Sequence, residues 1–346
     1  MTKNINNLND YINNIPNITA TLTLNDTIYN WVPLSNPTII KTDTYYLDSN
    51  KYKEFNTKTD KKIKLDPNVI YIIVVNGFTQ YQHSMTETVM ILQMYLNYFK
   101  NITINNKKIS LISERRVWKS RIMTTILQLF NFENEILFID NNKYYEGNFL
   151  YLKHYSGQEH RHPLGDILPC FPQKNAPVIN ELIKNANNKY KNEPYFRKLW
   201  ISRRNMYNLE WNRRIITNTV SLSEIILENG FKEYFGENNI DPLYTIYLIN
   251  KSSIIFGEPG TNLINLLFAN EHTKLLTVKC PSHIWMSVFF NEICASSNTK
   301  YLEYKDCEDD IEHKDYIKGS FNRPYKINNI NRFKEWFLEN TLDSNK

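Results

Sequence analysis

Cysteine is scarce in this chain. Only Cys170, Cys280, Cys294 and Cys307 occur in 346 residues, and no two are closely spaced. A disulfide scaffold needs more cysteine in a shorter chain, and a structural zinc site needs ligands a few residues apart. Reduced and mostly buried thiols are expected instead. Long apolar runs are also missing, since nothing approaches the roughly 18 residues that cross a bilayer. The opening MTKNINNLNDYINNIPN is polar, without the apolar core of a secretion leader. The chain is therefore expected to be soluble and cytoplasmic, without a membrane span. Charge of one sign is lacking too: Lys+Arg 41 against Asp+Glu 36 leaves +5. That mild excess suits an anionic ligand but not a nucleic-acid protein, whose basic residues would cluster. No G-x-x-x-x-G-K-[ST] or G-x-S-x-G occurs, which argues against a P-loop enzyme and a serine hydrolase of that type.

Asparagine is abundant, at about 48 positions, roughly twice an ordinary share. Ile, Lys and Tyr are also high, and glycine is low at 9. These are residues with AT-rich codons, so the bias is read as that of an AT-rich genome, a protist or a giant virus; a viral source would place the protein in the host cytoplasm or virion. The asparagines are spread through periodic segments and form no prion-like tract. Aromatics make up 14%, enough rings to build a core.

Residues 1–37 read as a polar N-terminal arm. In 38–165 the run VIYIIVV (69–75) suits a strand buried on both faces and ends at the turn Asn76-Gly77. Residues 84–99 have helical apolar spacing, with Ser84 and Glu87 as a capping box. A strand (109–112), a helix (118–130) and a strand (136–140) follow. Four prolines then mark 160–177 as a linker or active-site loop, with 166–177 as the boundary. Alternation resumes with helices near 178–190, 222–228, 243–249, from Thr261 and 283–294, and strands near 198–202, 231–235, 253–257 and 274–278. Gly230 ends the second of these helices as a C-terminal cap. An amphipathic helix (330–342) closes the chain. This pattern predicts an α/β protein of two Rossmann-like domains facing a central cleft, the second over 178–325.

Three segments could carry chemistry. In IIFGEPGTN (254–262), a buried strand leads through Glu258-Pro259-Gly260 into a helix whose first amides would favour an anion. An ordinary strand-to-helix turn has the same pattern. In LWISRRN (199–205), Arg203 and Arg204 follow a strand end, with Arg213 and Arg214 further on; arginine binds phosphate oxygens through paired hydrogen bonds. A solvated basic loop would read alike. In the third, His83 precedes a helix and Glu87 lies one turn on, spaced as a base and its orienter, or as capping and surface residues. His160 and His162 lack nearby cysteines, and the acidic run 306–315 reads as a solvated face, so no metal or cofactor is expected.

Taken in order, these segments resemble glycosyltransferase family 61. The family has Pro-His-Gly-Ala-Gly-Leu-Thr-Asn and then Leu-x-Phe; here stand Glu258-Pro259-Gly260-Thr261-Asn262-Leu263-Ile264-Asn265 and Leu266-Leu267-Phe268. Its Tyr-Ile-Ser-Arg and Arg-rich stretch correspond to Trp200-Ile201-Ser202-Arg203-Arg204 and Arg213-Arg214. Its Asn-Tyr-x-His corresponds to Gln80-Tyr81-Gln82-His83, with Glu87 a turn later. The resemblance spans roughly residues 70–303. It implies a GT-B architecture, with the last segment (326–346) packing back on the N-terminal, acceptor-binding domain. It also implies an inverting, metal-independent transfer of a sugar from a nucleotide-diphosphate donor to a glycan or protein hydroxyl. Arg203, Arg204, Glu258, Gly260, Thr261, Asn262 and Asn265 would bind the donor, and His83 with Glu87 would serve catalysis. Animal and plant members are usually membrane-anchored in the secretory pathway, whereas this chain looks more like the soluble bacterial capsule-type relatives. The family His stands here as Pro259 and its second Gly as Asn262. A catalytically inactive relative, acting in glycan binding or complex assembly, is therefore the alternative.

Overall fold

The computed structural model describes residues 20–24, 27–33, 38–41, 62–74, 85, 88–104, 106–139, 143–153, 176–206, 214–236, 241–320 and 322–342. The chain divides into two compact units, Met1–Pro172 and Gln173–Lys346. Both are mixed α/β with parallel strands. Among the described residues, no helix is long and apolar enough to cross a membrane.

The first unit contains β1 (Ala20–Leu24), β2 (Thr27–Pro33), β3 (Thr38–Lys41), β4 (Lys62–Lys64), β5 (Val69–Val74), α1 (Val89–Met94), β6 (Thr103–Ile104), β7 (Lys107–Glu114), α2 (Arg121–Leu129), β8 (Ile136–Ile139) and β9 (Tyr144–Lys153). Its sheet runs β1-β2-β9-β5-β7-β6, with β3 and β4 on β9 and β8 on β7. The central strands β9, β5, β7 and β8 are mutually parallel. Tyr71 through Val74 are all buried, as a strand covered on both faces requires. Tyr71 and Ile73 pack with Ile112, Ile139, Tyr145 and Phe149. Ser120 caps α2 by accepting from the Met123 amide. The stretch expected as a polar arm carries the hairpin β1–β2, and TIYNWVP has the branched and aromatic residues that favour strands. Helix α1 begins at Val89; the expected capping box at Ser84 and Glu87 lies outside the described residues.

The second unit contains α3 (Pro177–Lys189), β10 (Lys198–Ile201), α4 (Thr219–Glu228), β11 (Lys232–Tyr234), α5 (Pro242–Lys251), β12 (Ile254–Gly257), β13 (Lys274–Val278), α6 (Ile284–Ser297), β14 (Lys300–Tyr304), β15 (Cys307–Asp309), β16 (Tyr325–Ile327) and α7 (Ile330–Thr341). Five strands form an all-parallel sheet in the order β11-β10-β12-β13-β14. From β10 the chain moves outward to β11, then returns past β10 to β12. The order therefore reverses between β10 and β12, and the carboxyl ends of those two strands flank a topological switch point.

One expectation changes here. The segment after Gly260 is an eight-residue 3-10 helix, Thr261–Phe268, not an α-helix. Residues 263–268 are all buried, so the segment is covered around its whole circumference rather than along a one-sided stripe. The closing helix α7 lays its apolar face on the second unit's own core. Phe333 and Phe337 are fully buried against Phe256, and Phe337 also meets Phe231.

Candidate functional site

The β10–β12 switch point gathers most of the donor-binding residues expected from sequence. Chain direction explains this: parallel β10 and β12 are in register, with Ile201 opposite Gly257. The residues that leave both strands therefore emerge side by side. Ser202 and Glu258 are fully buried there, and Arg203 is only 5% exposed. The Glu258 carboxylate oxygen Oε1 accepts from the Ser202 hydroxyl (3.2 Å) and from the Arg203 amide (3.2 Å). The Arg203 guanidinium donates through Nη1 to the Pro259 carbonyl (3.3 Å).

Gly260 is needed here because of Arg203. Its backbone is extended (φ 179°), a conformation open to any residue. A Cβ at Gly260, however, would lie 2.0 Å from Arg203 Nη1 and 3.0 Å from its Cδ and Cζ. The missing side chain makes room for a guanidinium laid across the bend.

The two arginines have different surroundings. Arg204 donates to both oxygens of Glu233, from Nε at 2.8 Å and Nη2 at 2.5 Å, and to the Ser223 hydroxyl at 3.1 Å. Its guanidinium also stands 4.9 Å over the Trp200 ring. Arg204 is a strut between β10, β11 and α4. Arg203 faces the Pro259 bend. Asn262 packs beside Gly236 at the end of β11, where a Cβ on the glycine would meet Asn262 Nδ2 at 3.3 Å. Asn265 is buried, and its Nδ2 donates to the Asn262 carbonyl (2.9 Å), which makes it a brace of the 3-10 turn. Thr261 is half-buried at the start of that turn.

The structure adds a histidine and two more arginines. Ile216 bridges Tyr325 in parallel. Arg214 and Arg323 each lie two residues earlier, so both stand on the amino-terminal side of that bridge. His283 follows β13 and is the N-cap residue of α6. The charges of Arg214, Arg203 and Arg323 all act on it; burial first, then these three, push its pKa down to about 4. His283 is thus neutral at neutral pH. Its Nδ1 lies 3.1 Å from the Ser282 hydroxyl. Burial, and then repulsion from Arg203, pull Arg214 down to about 10. Burial raises the Cys280 thiol, which sits 3.9 Å from His283 Nδ1 and is inert as a thiolate at neutral pH. Arg323 is held by Asp309 (2.9 Å), and Glu308 pairs with Lys326 (3.3 Å). Part of the acidic run expected as a solvated face thus forms β15 and anchors a site arginine. A positive, largely buried cluster of side chains at the carboxyl edge of a parallel sheet can hold an anion and stabilise charge that develops on one.

Sequence reading missed His283 and Arg323. A histidine at a helix start was the only signal for the first, and none existed for the second. His83, Glu87, Arg213, His160, His162 and Cys170 lie outside the described residues. Among the described residues, no group of three His, Cys, Asp or Glu side chains is placed to hold a metal ion. No protein-family model matches the chain, and no curated protein matches it.

Proposed function

We propose that this protein is an inverting glycosyltransferase that uses a nucleotide-diphosphate sugar as donor and a glycan or protein hydroxyl as acceptor. One observation carries the reading: the Arg203 guanidinium lies across the Gly260 bend at the switch point between β10 and β12. Open parallel sheets bind ligands at that place. In the transition state, the bond from the anomeric carbon to the diphosphate breaks and negative charge grows on the phosphate oxygens. Arg203, supported by Arg214 and Arg323, meets that charge without proton transfer and without calling on a metal. Direct attack by the acceptor hydroxyl inverts the anomeric centre. The reading includes the GT-B arrangement, with the attacking hydroxyl's proton taken by His83 and that histidine oriented by Glu87 on the acceptor-binding domain.

The test is calorimetric titration of the full chain with a panel of nucleoside diphosphates, with Arg203→Ala as control. The wild type is expected to bind at least one of them, and Arg203→Ala is expected to bind it roughly tenfold more weakly or worse. A wild type that binds none of them sinks the proposal. The family histidine's replacement by Pro259 favours a second reading, a non-catalytic glycan-binding or assembly protein. Sugar transfer that disappears in folded His83→Ala would dismiss it.

A further inference from the structure

Arg214 has poor partners for a charged side chain. Its Nη1 donates to the Met286 thioether sulfur at 3.4 Å, a weak acceptor. Its Nε is buried without a hydrogen-bond partner among the described residues. The titratable groups that act on it there are Arg203, Cys280 and Tyr325, none of them a carboxylate. A guanidinium in such a place is stabilised by an arriving anion. Met286 belongs to the first turn of α6, so Arg214 lies against that turn.

The same turn carries an aromatic plane. Trp285 is 46% exposed, and its ring centroid lies 5.8 Å from that of His283, the residue on which all three arginines act. Ile284 and Val288 beside it are also exposed. An anion seated at Arg214 therefore lies against the turn that also carries this exposed apolar face, and a ligand with a phosphate at one end and a flat ring at the other matches both features. Inorganic phosphate would leave the flank unused.

We propose that Arg214 and Trp285 form a recognition pair for a nucleoside diphosphate, Arg214 taking phosphate oxygens and Trp285 stacking on the base. This deepens the glycosyltransferase reading and rests on it: it assigns the base-binding wall to the first turn of α6 and makes Trp285 a specificity-determining residue.

The experiment is calorimetry on the full chain with inorganic pyrophosphate and with UDP, GDP, CDP, ADP and dTDP. It compares the wild type with Arg214→Gln, Arg214→Lys and Trp285→Leu, each checked for folding by circular dichroism. At least one nucleoside diphosphate is expected to bind more tightly than pyrophosphate. Arg214→Gln should weaken both ligands roughly tenfold or more. Arg214→Lys keeps charge and bulk but loses the two-pronged geometry, so it should fall in between. Trp285→Leu should weaken the nucleotide roughly tenfold and leave pyrophosphate unchanged. Nucleotide binding that survives either Arg214→Gln or Trp285→Leu overturns this pairing while leaving the donor reading intact. If Arg214→Gln fails to fold, wild-type affinity in Arg214→Lys overturns it equally. A wild type that binds no nucleoside diphosphate overturns both.

Discussion

Arg203 and Gly260 occupy complementary space: the glycine has no side chain where the guanidinium lies, and a Cβ there would come within 2.0 Å of Nη1. Gly260→Ala therefore displaces Arg203 from the bend. Its far end is flexible, but its Cδ and Cζ would also be 3.0 Å away, and the side chain is buried. The expected result is a stability loss of about 1–3 kcal/mol from overpacking, with nucleotide affinity lowered as in Arg203→Ala. Chemical denaturation beside calorimetry checks both. Affinity unchanged in a folded Gly260→Ala would show that the guanidinium's placement does not matter to the ligand.

Neighbouring arginines should separate binding from stability. Arg204→Ala leaves the Glu233 carboxylate without its paired donors, so it should cost about 1–2 kcal/mol, discounted because part of the pair is wet. Nucleotide affinity should change little. Arg203→Ala should do the opposite. Denaturation midpoints and calorimetry on both variants form the measurement, and equal binding losses would contradict the assignment of Arg204 as a strut.

That contrast also marks how far sequence reading reaches. Strands β5, β7, β10, β12 and β13 stood out as short apolar or branched runs, because strands inside parallel sheets are buried on both faces. Strands β14, β15 and β16 read KYLEY, CED and YKI, with too little apolar contrast to register. Arg203 was legible from its place after a strand, but nothing local separates it from Arg204. The partner that decides, Glu233, sits on a strand 29 positions away. Arg214 was visible as part of a basic run. Arg323 reaches the site through the pairing of Ile216 with Tyr325, and no spacing rule spans that distance.

His283 makes stability depend on acidity. Burial, then Arg214, Arg203 and Arg323, lower its pKa to about 4 from the ordinary 6.5. Between those values the unfolded chain binds a proton and the folded one does not, so stability rises with pH through this window. It is fully present above pH 6.5 and is lost as pH falls towards 4, by up to about 3 kcal/mol. His283→Gln should remove most of this slope. Urea denaturation at intervals from pH 4 to 7 checks it, and identical slopes in wild type and variant would contradict the buried, arginine-facing placement.

The closing helix should be essential to the second unit. Phe337 is fully buried, with ring centroids 5.2 Å from Phe231, 5.6 Å from Phe256 and 5.6 Å from Phe333. Phe256 lies on β12, the strand that ends at the Pro259 bend. Phe337→Ala removes a ring from this cluster and leaves a cavity beside that strand. The expected cost is about 3–5 kcal/mol. Because Phe256 is one residue from Gly257, the variant should also lose nucleotide affinity before it unfolds globally. Phe337→Leu keeps most of the volume and should cost less. Denaturant midpoints for the three proteins, with nucleotide affinity measured well below each midpoint, test the chain of contacts from α7 to the bend. A Phe337→Ala protein as stable as the wild type would mean that α7 does not complete this core.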